Sequence, residues 1–437
     1  MKNYFFSTNL KGEFDIFRRF ILSKKNVGDT YIWNMVSNML FAFQSVIILM
    51  LLTRFMSLEE SGVFTIAYAN ACLFLLIGKY GVRNYQVSDV NSVYSFKEYR
   101  RVRQITVLLM AFAGICFIVF SQWKNGYSTE KSMIMMLAIV YKVPDALEDL
   151  YYGEYQRNGR LDVAAKCMSI RLMLAVVSLI VFSAIFKDLF IAFIVSDIIS
   201  FVALKLLLSS TKELLSIENN VSIEGKNIKK ILLDCLPLFL GTFLLQYINN
   251  APKYAIDSLM SDEVQACYGF ISMPVFVTGL FSKIIYDASI KKMSVLWQNG
   301  NIELFKKNIY IQVIIIFGIT ICTIVGGWFL GIPVLSLLYN TDLSEYRKEL
   351  IILLLVGGIL AGASFLNVVL TIMRQQEKTI YVYIIAALVA LLCSYDIIRA
   401  YGIFGAVMLY LLTTVILVVV FAIIVAFKFD YYKKKGA

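Results

Sequence analysis

The 437-residue chain contains no histidine. That removes the commonest general base and the commonest metal ligand near neutral pH. It weighs against a hydrolase or a transferase, and no metal site or cofactor is expected. Charge is scarce as well: 16% of residues are charged and 59% are hydrophobic, with a mean hydropathy of +0.74. A soluble protein of this length needs far more polar surface to cover its core, so the composition points to a membrane protein. The seven cysteines (Cys72, Cys116, Cys167, Cys235, Cys267, Cys322 and Cys393) are scattered singly without a CxxC. They read as small apolar packing residues rather than a disulfide framework or zinc site. There is no Gly-rich phosphate cradle. The opening MKNYFFSTNLKGEFDIFRRFILSKK is too polar for the h-region of a cleavable signal.

The apolar stretches are what the chain has in abundance. A spanning helix needs about 20 mostly apolar residues. Twelve candidates lie at 30–53, 62–80, 104–123, 131–155, 162–186, 189–208, 232–252, 264–286, 308–330, 350–373, 379–399 and 404–427. The expected fold class is an all-α integral membrane protein. With a cytoplasmic N-terminus, the inside segments hold about 30 Lys and Arg and the outside loops about 8, which sets the orientation with both ends inside. The net charge of +11 then reads as orientation signal and lipid headgroup contact. Nucleic acid is not an expected partner, because no soluble basic domain exists to carry it.

A polar interruption at 209–231 divides the spans six and six. The expected parts are a cytoplasmic N-terminal segment (1–29), a six-helix lobe (30–208), the linker (209–231), a second six-helix lobe (232–427) and a basic tail (428–437). Six is even, so both halves start on one side and would be related by a pseudo-two-fold along the membrane normal. Ser57-Leu58-Glu59-Glu60 before the second span is echoed by Met260-Ser261-Asp262-Glu263 before the eighth. In the first segment, Phe5, Phe6, Leu10, Phe14, Phe17 and Ile21 would line one side of a helix lying on the cytoplasmic leaflet; a disordered tail is the alternative. The outer loops are short, the longest near 331–349, and leave no soluble catalytic domain.

Ionised groups at the bilayer centre cost about 2.5–3.5 kcal/mol even on the lenient insertion scale. Yet the fourth span reads IVYKVPDALEDLYYGEYQR. Lys142, Asp145 and Asp149 share one face at three- and four-residue spacing, with Glu148 and Tyr152 beside them, and Pro144 is expected to kink the helix there. Lys142 and Asp145 either neutralise each other or belong to a working site. Glu148 and Asp149 then leave an excess of negative charge, for which Arg171 in the fifth span is a candidate partner. Lys166 would snorkel to the interface. Asp197 is a further buried acid. The second half carries amides instead: Gln246, Asn249 and Asn250, then Lys253. Asn34, Asn38 and Gln44 do likewise on the first span. Such amides serve as interhelical glue or line a polar path.

Three stretches carry a resemblance: LTRFMSLEESGVFTIAYA (Leu52–Ala69), GVRNYQVSD (Gly81–Asp89) and YGEYQRNGRLDVAAK (Tyr152–Lys166). They resemble the Wzx-type oligosaccharide flippases of the multidrug/oligosaccharidyl-lipid/polysaccharide (MOP) exporter superfamily, whose fold is MATE-like. The resemblance implies a non-enzymatic flippase that carries polyprenyl-diphosphate-linked oligosaccharide from the inner to the outer leaflet of the cytoplasmic membrane by alternating access. Membrane lipids, a glycan polymerase and glycosyltransferases of the same pathway would be its partners. On that reading Arg54, Arg83, Arg171 and Lys253 contact the headgroup. Asn38, Gln246 and Asn250 contact sugar, while Lys142, Asp145, Glu148, Asp149 and Asp197 serve ion coupling or charge balance. The alternatives are an ion-coupled drug or cation exporter of MATE type and a membrane-embedded glycan polymerase or acyltransferase.

Overall fold

In the computed structural model, residues 18–23, 27–89, 93–215 and 225–435 are described. Among these residues there are helices and no strands. The helices are α1 (Val27–Phe55), α2 (Leu58–Lys79), α3 (Val82–Ser88), α4 (Phe96–Asn125), α5 (Thr129–Tyr141), α6 (Val143–Arg157), α7 (Leu161–Phe186) and α8 (Leu189–Ser210). They continue as α9 (Gly225–Leu259), α10 (Asp262–Gln298), α11 (Ile302–Gly326), α12 (Ile332–Tyr339), α13 (Arg347–Ile372) and α14 (Gln376–Lys435).

Ten helical stretches among the described residues are long and apolar enough to cross a membrane. The last of these, Gln376–Asp430, contains two rods, because Gly402 leaves helical geometry at φ 58, ψ −135. Residues 379–399 and 404–427, expected as separate spans, flank that break. The expected fourth span, 131–155, is the broken pair α5–α6. Its charges keep it out of the apolar set, and the break falls at Lys142 with Pro144 in the first turn of α6, where proline costs no helical hydrogen bond. Large apolar side chains face outward along the spans, among them Leu108 (70% exposed), Phe112, Ile314 and Leu392. Contiguous apolar exposure of this kind suits hydrocarbon rather than water.

Local chemistry sets the helix ends. Ser57 and Glu60 exchange capping bonds at the start of α2, and Ser95 and Glu98 form a full capping box at α4. Asp188 caps α8 through the N–H groups of Phe190 and Ile191. Tyr80 and Gly81 both take left-handed angles (φ 49 and 69) and end α2 before the short α3. The left-handed region suits glycine at no steric cost.

The chain forms two compact units: the described residues of Met1–Met56 with Ala67–Phe239, and Ser57–Ile66 with Leu240–Ala437. In the first unit α7 packs against α1 and α8, and α6 against α3, α4 and α7. The N-terminal part of α9 belongs here: Asn227 donates to Glu98 and the Tyr85 hydroxyl to Asp234. Residues 18–23 dock on this unit. Ile21 is fully buried against Val163, Cys167 and Leu207. Lys166, expected to snorkel, donates to the Phe20 carbonyl and the Ser23 hydroxyl. Phe5, Phe6, Leu10, Phe14 and Phe17 lie outside the described residues. In the second unit α13 packs against α10, α11 and α14 around Phe305, Phe365, Leu370 and Phe421. The start of α2 joins it so closely that any side chain at Gly62 would overlap the Asp262 carbonyl.

Asp89, just after α3, holds the residues that lead into α4. It accepts from the N–H groups of Val93 and Tyr94 and from the Tyr99 hydroxyl. Burial pushes its carboxyl up, but those bonds and the nearby Arg157 outweigh it and hold the group below the ordinary aspartate value of 3.8. A depressed carboxyl stabilises the fold above its unfolded pKa, and the contribution is lost as pH falls through the folded value. Proteolytic nicking at 89–95 is therefore expected to rise only as pH drops below about 4, and Asp89→Asn should raise it already at pH 7. Equal nicking of variant and wild type at pH 7 would refute this role.

Candidate functional site

The polar centre of the first unit is built on α6. Breaking the fourth span at Lys142 frees the first turn of α6 to carry Asp145, and Glu148 and Asp149 follow one turn later on the same side. Two ion groups form around them, and they differ in charge balance.

The first group is neutral. Lys142, fully buried, bonds Asp145 Oδ2 at 3.1 Å and the Tyr68 hydroxyl at 2.9 Å. Its ammonium lies 4.5, 5.2 and 5.6 Å from the ring centroids of Tyr68, Tyr141 and Phe41, an aromatic cage that replaces lost water. Arg171, 1% exposed, donates to Asp145 Oδ1 at 2.5 Å, to Glu148 Oε2 at 2.8 Å and to Ser200 Oγ at 3.3 Å. Two cations thus meet two carboxylates. Arg171, expected as a headgroup contact, spends its donors on protein partners.

The second group is not neutral. Asp149 Oδ2 accepts from Arg103 Nη2 at 2.8 Å, while Oδ1 lies 3.9 Å from both Lys79 Nζ and Arg83 Nη1. Arg103 is buried and also donates to the Gly78 carbonyl. One carboxylate therefore faces three cations. The negative excess expected at Glu148 and Asp149 is reversed into a positive one. The reason is that α4 starts at Phe96, well before residue 104, so Arg103 lies two turns inside the helix and not in a cytoplasmic loop. Lys79 and Arg83 are the partly exposed members, at 24% and 31% of their side chains. Lys79 sits over the Phe41 ring, and Arg83 stacks on Tyr152 at 3.8 Å and donates to Gln156 at 2.9 Å.

These groups line one small pocket in the first unit, with a cavity volume of about 20 Å³, among Phe41, Lys79, Arg83, Asp145, Glu148, Asp149, Tyr152, Met168 and Arg171. It joins Arg83, Arg171, Asp145, Glu148 and Asp149 of the expected site residues, with Lys142 behind them. Lys79 and Arg103 escaped sequence reasoning because they read as positive-inside signal. The capping box Ser95–Glu98 marks the helix start that would have placed Arg103 correctly.

The remaining expected residues lie elsewhere. Arg54 is exposed in the last turn of α1. Asn38 bonds the Asn34 carbonyl one turn away, and Asn34 accepts from Tyr152. In the second unit Asn250 donates to the Gln246 carbonyl and Lys253 is half-buried on the same helix. Asp197 is 5% exposed and both its carboxylate oxygens lack a hydrogen-bond partner among the described residues. No group of three or more acidic or cysteine side chains among the described residues could hold a metal ion.

Comparison with known proteins gives the architecture a relative. Over 91% of the chain, the structure matches the lipid II flippase MurJ in an inward closed conformation, with a TM-score of 0.68, 16% identity and 87% of MurJ covered. A multidrug resistance MATE family transporter of the MOP superfamily, inward-facing, matches 91% of the chain and 96% of its own length at TM-score 0.64 and 11% identity. The chain has the MOP-superfamily fold. No family model matches it. In sequence, this MOP-fold chain is 23% identical over 380 residues to the capsular polysaccharide biosynthesis protein CapF of Staphylococcus aureus, covering 85% of the chain and 92% of that protein.

The neutral group makes a stability prediction for this MOP-fold unit. Arg171→Ala leaves Asp145 and Glu148 short of a cation, and breaking a buried pair in this way costs about 3–5 kcal/mol. Thermal unfolding of the purified protein should show that loss. Arg171→Met combined with Glu148→Leu keeps the count neutral and should recover most of it. A single variant as stable as wild type would show that the cluster is solvated.

Proposed function

We propose that the chain is a flippase for polyprenyl-diphosphate-linked oligosaccharide. It carries these units from the inner to the outer leaflet of the cytoplasmic membrane for surface polysaccharide synthesis, by alternating access and with both termini cytoplasmic. The observation that carries the reading is the pair Lys79 and Arg83, two partly exposed cations without a hydrogen-bonded acid, in a pocket whose other charges are balanced. A diphosphate and a polar glycan cannot enter hydrocarbon unaided. A cationic pocket in a membrane protein lowers that cost without breaking a bond. The likeness to CapF along most of both chains supports a polysaccharide substrate, and the fold shared with MurJ supports a lipid-linked one. Arg54 and Lys253 are proposed as further headgroup contacts, and Asn38, Gln246 and Asn250 as sugar contacts. The lipid-linked oligosaccharide would be received from glycosyltransferases and passed to a polymerase of the same pathway.

One observation favours a second reading. Asp197 is a buried acid without a partner, and a membrane-embedded acid of that kind suits a cation exporter of MATE type. In that case vesicles containing the chain would extrude a fluorescent cation.

The first reading is tested in cells. Lys79→Gln with Arg83→Gln should reduce surface polysaccharide by at least about ten-fold while the protein accumulates normally, since both side chains are partly exposed. Undiminished polysaccharide from the double variant would remove the pocket from the mechanism.

A further inference from the structure

Resting on the flippase reading, we infer that Asp149 is a built-in stand-in for a substrate oxygen, and that the charge it leaves uncompensated selects a diphosphodiester dianion over a singly charged phosphate. The geometry of its two oxygens differs. Oδ2 is committed to the buried Arg103 at 2.8 Å. Oδ1 stands 3.9 Å from Lys79 and 3.9 Å from Arg83, beyond hydrogen-bond length but close enough for charge compensation. It occupies the place between two cations that an incoming anion oxygen would take at shorter range.

Lys79 and Arg83 are already positioned for that exchange. The Phe41 ring and the Tyr152 ring support them from one side, and Gln156 fixes one edge of the Arg83 guanidinium. Arginine presents five donors in a planar fork, so donors remain for a ligand. When an anion enters, Lys79 and Arg83 turn to it, while Arg103 keeps Asp149 neutralised and no carboxylate is stranded. Release reverses the exchange, because Asp149 Oδ1 is present to receive both cations.

The charge count gives the selectivity. Lys142 and Arg171 cancel Asp145 and Glu148. Arg103, Lys79 and Arg83 form their ion pairs with Asp149 and with no other acid among the described residues. The surplus is two positive charges, the charge carried by a phosphate-to-phosphate linkage esterified at both ends. A phosphodiester lipid of the bulk bilayer carries one negative charge and leaves one of the two partly exposed cations uncompensated, which weakens its binding relative to a dianion. Asp149 therefore limits the surplus to two: without it the surplus is three, and a dianion, which gains about twice what a monoanion gains from the lost carboxylate, is favoured more strongly still.

The test uses the purified full chain in nanodiscs and reads ligand-dependent thermal stabilisation, which follows occupancy. Three probes share one sugar: a polyprenyl diphosphoryl sugar, a polyprenyl monophosphoryl sugar, and a soluble nucleoside diphosphate sugar. Wild type should prefer the first over the second by at least about ten-fold, and Asp149→Asn should bind both lipids more tightly and widen that preference, because the dianion gains more from the lost carboxylate. Binding of the nucleoside diphosphate sugar as well would assign recognition to the dianion itself; its absence, with the lipid form bound, would assign the source as membrane lipid. An unchanged ratio in Asp149→Asn overturns the inference while leaving the flippase reading intact. No binding of the diphosphoryl lipid to wild type overturns that reading itself. If Asp149→Asn does not fold, Lys79→Gln and Arg83→Gln decide: either one retaining the full preference would contradict the inference.

Discussion

Gathering eight formal charges around α6, five of them buried, constrains everything else in the first unit. Each has to find an opposite charge or a ring, because hydrocarbon supplies neither. Helix α6 answers this with three carboxylates in little more than one turn, and the surrounding helices each deliver a cation to them. Lys79 comes from α2, Arg83 from α3, Arg103 from α4, Lys142 from the α5–α6 break and Arg171 from α7. The arrangement ties five elements to one short rod. It explains why a segment with too much charge to read as an apolar span is nonetheless central to the unit.

Stability and function divide along the same cluster. The pair of Lys142 and Arg171 with Asp145 and Glu148 is charge-balanced and belongs to the frame, with Glu148 Oε1 left without a hydrogen-bond partner among the described residues. The group around Asp149 is only half engaged, and that half faces the pocket. A buried network is worth keeping when every member is satisfied. Here the surplus charge lies on two side chains that keep partial contact with solvent, where the cost of carrying it is smallest. A ligand of matching charge would complete the network.

Much of this was legible in the sequence. Hydropathy pointed to the apolar spans, because about 20 apolar residues have few other uses, although the charged fourth span is not among the ten stretches that qualify. The spacing of Lys142 and Asp145 left open a neutral pair or a working site, Pro144 pointed to a kink there, and Arg171 was a candidate partner for the acids of α6. The partners of Asp149 were not legible. Lys79 and Arg103 stand far from it in sequence, within a run of basic residues that also fits an orientation signal, and only the capped start of α4 separates the two meanings. The assignment of Ser57–Ile66 to the second unit was hidden as well, since a glycine at 62 announces a close approach without naming its partner. Ile21 looked like one more residue of a lipid-facing stripe until Val163, Cys167 and Leu207 closed over it.

The central claim is that this cationic pocket serves the transfer of a lipid-borne diphosphate headgroup between leaflets. Reconstitution tests it most directly. Purified chain is placed in liposomes with a labelled polyprenyl-diphosphate-linked oligosaccharide, and the fraction reachable by an impermeant glycosidase is followed with time. The account predicts that the protected fraction becomes reachable only in liposomes containing the chain. If that fraction stays protected while the same liposomes extrude a fluorescent cation, the account is contradicted.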